Sequence, residues 1–173
     1  MCNTKKIQVP VIIGTGNKQT LVVETLTVAP PAPPIFRIID IDKKVIITDK
    51  KVIPGTEFMA GKVIINGYID KNIIYKTLPT PAGYPATGPI QHYTTLIPFS
   101  TFVEIDDTVI PQDKVLEGDE CEILEAFVEG ERNELLDPLG TDPETYATLL
   151  EKDLVRIVVK IVRVEHLDVI ITH

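Results

Sequence analysis

KVIINGYIDKNIIYKT, residues 62–77, decides the fold, because its apolar residues recur every second position. Side chains on a strand alternate between two faces, so Val63, Ile65, Ile69, Ile73 and Tyr75 share one side with Gly67 and Lys71. Lys62, Asn66, Asp70, Asn72 and Lys76 lie opposite. One face belongs to a core and the other to water. Sixteen residues exceed the usual strand of roughly 3–10. A bulge at Gly67 or a turn at Asp70-Lys71-Asn72 is therefore expected to divide the segment.

The same period extends outward. QVPVII and QTLVVETLTV, separated by GTGNK, read as a hairpin with a glycine turn. IFRIIDIDKKVIITDKKVIPG is dense in Ile and Val, which pack well on a pleat and lose χ1 freedom in a helix. QHYTTLIPFSTFVEI reads as a strand with Pro98 at an edge or bend. PQDKVLEGDECEILEAFVEGERNELLDP is acidic and fits strand or helix, and LVRIVVKIVRVEHLDVIITH closes the chain as one or two strands. The proline run APPAPP, residues 29–34, is a rigid connector between layers.

One segment breaks the pattern. DPETYATLLEKD offers Asp142 as N-cap, Pro143 at the first helical position and Glu144 in the first turn, which predicts a short helix near residues 143–152. The expected fold is thus all-β, a β-sandwich or barrel with that one helix. Residues 1–9 read as a flexible N-terminal arm and 10–173 as a single β domain. A Pro/Gly loop at 79–89 and an inserted helical segment at 137–153 interrupt that domain.

The chain has 173 residues, with 17 basic against 25 acidic side chains and a net charge of −8. That balance argues against nucleic acid as a partner. No secretory leader or membrane-length apolar run is found, so synthesis in the cytosol is expected. Cys2 and Cys121 cannot build a disulfide framework, and they stand as candidate intermolecular cross-links. His92, His166 and His173 lack the spacing of a zinc site, GTG at 14–16 is no dinucleotide fingerprint, and Ser100 is not in a nucleophile elbow. Asp40, Asp42 and Asp49 read as a solvated strand face. No catalytic residue, cofactor or metal is expected, and the chain reads as a non-enzyme.

The ordered set VPVIIGTGNKQTLVVETLTVAPPAPPIFRIIDIDKKVIITDKKVIPG, KVIINGYIDKNIIY, QHYTTLIPFSTFVEI, EGDECEILEAFVEGERNEL and LVRIVVKIVRVEHLDV resembles the SPOCS-type domain of spore coat and exosporium proteins of endospore-forming bacteria. The resemblance implies a structural protein made in the mother cell and placed in the spore surface layers. It would assemble with copies of itself, and with other coat or exosporium proteins, into a ring, sheet or fibre. The first residues up to Pro10, with Lys5, Ile7 and Val9, and the loop carrying Tyr84 are the candidate contacts. The alternative is an adaptor or binding module for another coat protein or a glycan, with Tyr68, Tyr84 and Tyr93 as stacking surfaces.

Overall fold

The computed structural model describes residues 3–78, 87–108 and 114–171. Among these residues seven strands make two antiparallel sheets packed face to face. They are β1 (Asn3–Thr27), β2 (Arg37–Pro54), β3 (Gly61–Lys76), β4 (Ile90–Glu104), β5 (Asp107–Thr108), β6 (Glu120–Leu139) and β7 (Thr145–Ile171). One sheet has the order β5-β1-β7-β6 and the other β2-β3-β4.

β3 is the centre of its sheet and runs unbroken for 16 residues. Its burial alternates as its sequence does, with Val63, Ile65, Ile69, Lys71, Ile73 and Tyr75 inaccessible to solvent. The expected break at Gly67 or Asp70-Lys71-Asn72 is absent. The irregularity falls on the neighbouring strand instead, where the β2 register shifts between Ile47 and Asp49 and again between Ile38 and Asp40. Gly67 permits this close approach, because a Cβ there would lie 2.4 Å from the Ile46 carbonyl oxygen. β4 is an edge strand, which accommodates Pro98 opposite Tyr68.

The expected hairpin over QVPVII-GTGNK-QTLVVETLTV is one continuous strand. β1 passes straight through Gly14-Thr15-Gly16, paired along its length with β7, and shifts register only between Ile12 and Gly14. Gly16 serves proximity rather than reversal of direction. A Cβ on Gly16 would lie 2.3 Å from the Glu104 carbonyl oxygen and 2.8 Å from the Val103 side chain, where β4 ends against β1. Gly16→Ala should therefore cost about 1–3 kcal/mol, as overpacking does. Urea unfolding monitored by circular dichroism checks this through a lowered midpoint at unchanged slope.

The predicted helix is also corrected: no helix occurs among the described residues, and 145–152 form the start of β7. Asp142-Pro143 is a cis peptide in the β6–β7 connection rather than a helix cap. Local start signals are worth only about 1 kcal/mol. Here they yield to a strand paired on both sides, with Leu150 opposite Thr25 of β1 and Glu134 of β6.

The proline connector joins the two sheets, as its stiffness suggests. Ile35 bridges to Tyr146, the Phe36 N–H donates to the Lys76 carbonyl at 2.8 Å, and the Tyr75 hydroxyl donates to the Pro33 carbonyl at 3.0 Å. Beneath it the core is filled by inward side chains of both sheets, among them Val22, Ile65, Ile69, Ile97, Leu149 and Ile157.

Candidate functional site

Two features depart from an ordinary sandwich: a charged cluster inside it and a ribbon outside it. β7 presents Leu149, Glu151, Asp153, Val155, Ile157, Val159 and Ile161 to the core in strict alternation, all buried. Two of these are acids. β3 places Lys71 between Ile69 and Ile73 on its own core face. The three off-pattern charges meet across the gap between the sheets. Lys71 Nζ donates to Glu151 Oε2 and lies 3.0 Å from both Asp153 carboxylate oxygens. Glu131 of β6 adds a third carboxylate 3.8 Å from Lys71 Nζ and is itself held by Lys43 at 2.5 Å.

Charge burial of this kind is tolerable only with pairing. Pairing is incomplete at one atom, since Glu151 Oε1 is buried without a hydrogen-bond partner. Burial pushes the Glu151 carboxyl above the usual range. Lys71 opposes the rise, while Asp153 and Glu131 add to it. The carboxylates of Glu131, Glu151 and Asp153 converge closely enough to resemble a cation site. The cation they surround is the Lys71 ammonium.

The ribbon begins where β4 and β6 end. β1 and β7 remain paired from Ile12↔Val162 outward to Asn3↔Ile171. Among the described residues no strand pairs with the outer edge of either beyond that point. At about 3.3 Å per residue the ribbon projects roughly 30 Å. Direct cross-strand partners share a face, so Lys5/Val169, Ile7/Leu167, Val9/Glu165 and Val11/Arg163 lie on one side. That side continues the core face of β7, because 163, 165, 167 and 169 carry on the odd-numbered series that is buried up to Ile161. The opposing sheet stops and the apolar face does not. Ile7, Leu167 and Val169 are 42%, 45% and 39% exposed. The other face is polar toward its outer part, with Lys6 opposite Asp168 and the Gln8 side chain 3.1 Å from the His166 ring, and carries exposed Val164 and Ile12 nearer the base.

Arg163 anchors the base of the ribbon. Its guanidinium donates to both Asp119 oxygens at 2.8 Å and to the Lys114 carbonyl at 2.9 Å. The Asp119 oxygen also accepts the Leu116 N–H at 2.8 Å. Burial pulls the Asp119 carboxyl upward, but the Arg163 and Leu116 donors outweigh it and hold it below the ordinary value. A depressed folded pKa contributes stability above the unfolded value of about 4, and that stability is lost as pH falls through the folded pKa. Asp119→Asn should therefore unfold more easily at pH 7 and show a flatter dependence below pH about 4. Urea midpoints measured across that range check both parts.

The sequence candidates are dispersed by the fold. Lys5, Ile7 and Val9, read as part of a flexible arm, belong to β1 and share the apolar face of the ribbon. Cys121 is buried in the core, and burial, the largest influence, pushes its thiol up, with Glu122 adding and Lys50 opposing. Such a thiol is unreactive, so the fold does not offer Cys121 to a neighbour. Cys2, Tyr84 and His173 lie outside the described residues. Tyr68 and Tyr93 cannot form one stacking platform: Tyr93 pairs with inward Ile73 and packs on the core, whereas Tyr68 lies on the opposite parity of β3.

The class defined by these features is an antiparallel two-sheet sandwich with a charged core and a projecting two-stranded ribbon. The chain belongs to the SipL SPOCS domain family, whose model matches residues 34–125, just over half its length, and with it to a sporulation setting. The match covers β2 to β5 and the start of β6, including Lys71, while β1 and β7 lie outside it. No curated protein and no solved structure matches the chain.

Proposed function

We propose that the protein is a structural subunit of the spore surface layers that assembles with copies of itself, the ribbon of β1 and β7 being the contact element. The observation that carries this reading is the core-side face of the ribbon, which runs past the opposing sheet with Ile7, Leu167 and Val169 uncovered. A two-stranded ribbon is only marginally stable alone in water, and an apolar face with two free edges invites a second layer or an added strand. A ribbon at one end docking on the body of the next copy is a heterologous contact. Repeated, it gives a ring if it closes and a fibre or sheet if it does not. The sporulation family agrees with this setting.

The test is negative-stain electron microscopy of the purified full chain, with light scattering on the same sample. Ordered rings, sheets or fibres formed without another component support self-assembly. A stable monomer at all concentrations transfers the ribbon to an adaptor role, in which a different coat protein covers the same face.

A further inference from the structure

The charged cluster in the core carries chemistry that an ion pair does not need. Lys71 Nζ lies 3.0 Å from both oxygens of Asp153, an ion-pair position from which a small shift toward the face of the carboxyl would bring the nitrogen onto Cγ. Reacting atoms held at about 3–3.5 Å, with no freedom to separate, react as though at very high concentration. Lys71 and Asp153 are fully enclosed and come from different sheets. Glu151 touches the amine beside Asp153: one oxygen accepts from Lys71, and Oε1, the other, is buried and unpartnered. Burial pushes this carboxyl up, which suits a group that takes up a proton and returns it.

We propose that Lys71 and Asp153 condense to an intramolecular isopeptide bond, with Glu151 as the proton shuttle. The Lys71 ammonium gives one proton to Glu151, and the neutral amine attacks Asp153 Cγ. The Nζ–Cγ bond forms and one Cγ–O bond breaks. Two of the three ammonium protons leave with that oxygen as water, the third stays on the amide nitrogen, and Glu151 ends as it began. No oxidant, reductant or co-reactant is required. Glu131, whose side chain is about a quarter exposed, lies 3.8 Å from Lys71 Nζ and is the member of the cluster nearest to solvent. The product removes two opposite charges from the core, leaving an amide that the Glu151 carboxyl can hydrogen-bond. It ties β3 to β7, and thereby one sheet to the other, across 82 residues of chain.

Intact-mass spectrometry of the folded full chain, followed over days at neutral pH, is the test. The expected mass is about 18 Da below that of the sequence, one water lost, with a branched proteolytic peptide joining Lys71 to Asp153. Lys71→Arg should show the full mass. Glu151→Gln, which keeps both reactants, should slow the loss at least tenfold. A full mass in the folded wild type would overturn the proposal, as would a branch at any carboxyl other than Asp153. Loss at the wild-type rate in Glu151→Gln would remove Glu151 as the shuttle.

Discussion

Compared with wild type that still has its full mass, and so has Lys71 and Asp153 uncondensed, Lys71→Met is expected to lower the unfolding free energy by about 3–5 kcal/mol, the range for breaking a buried ion pair from one side. The side chain is inaccessible to solvent and is the cation against which Glu151 and Asp153 are placed. Methionine fills much of the volume, so the loss is electrostatic rather than a cavity effect. Two carboxyls then remain in the core without a counter-charge, and both must stay neutral to remain folded. Protonation removes the unpaired buried charge, so the deficit is largest at neutral pH and shrinks as pH falls. Denaturant midpoints for the variant and the wild type should therefore converge on acidification. Replacing all three residues with apolar ones, Lys71→Met with Glu151→Leu and Asp153→Leu, should recover most of the loss, because a matched apolar core does without buried charge. A triple variant no more stable than Lys71→Met would show that something other than unpaired charge causes the deficit.

Ile7→Asp combined with Leu167→Asp is expected to abolish the proposed assembly while leaving the sandwich intact. The two residues are direct cross-strand partners on the uncovered face and lie beyond the end of β6. They contribute nothing to the core formed by Ile65, Ile69, Leu149 and Ile157. Two carboxylates facing each other there put charge where a neighbour must bury apolar surface, and unpaired charge is costly to desolvate. Like charges directly opposite also weaken the ribbon itself. Light scattering should give the monomer mass, with the thermal midpoint of the body within a few degrees of wild type. As a control on the polar face, Lys6→Glu with Asp168→Lys exchanges a facing pair and should leave assembly unchanged.

How far the sequence reaches is visible at particular residues. Alternation in 62–77 correctly put Val63, Ile65, Gly67, Ile69, Lys71, Ile73 and Tyr75 on the inward face of β3, because a strand buried on one face must keep period two. It failed where the core itself is charged. Glu151 and Asp153 occupy inward positions of β7, so the alternation that continues from Val155 to Ile161 is disguised just where Asp142, Pro143 and Glu144 imitate a helix start. The signal that would have found the cluster was present in Lys71, a cation on an otherwise apolar strand face. A buried cation requires acids opposite it, and two acids spaced by two residues on another long strand are the natural source. Glycine was misread for a related reason. Gly14 and Gly16 resemble a turn in isolation, and only the approach of Glu104 from a distant strand reveals that Gly16 makes room. Ile7 and Val9 were selected as contacts from their place near the start of the chain, whereas their shared face with Leu167 and Val169 depends on a partner strand at the other end.

The uncovered face of the ribbon is the point on which the proposed assembly stands or falls. A cryo-electron microscopy map of the assembled full chain reads it directly. The expected map places Ile7, Leu167 and Val169 against a neighbouring copy, out of contact with solvent. An ordered assembly whose ribbons project freely into solvent would contradict the account, because the contact would then lie on another surface.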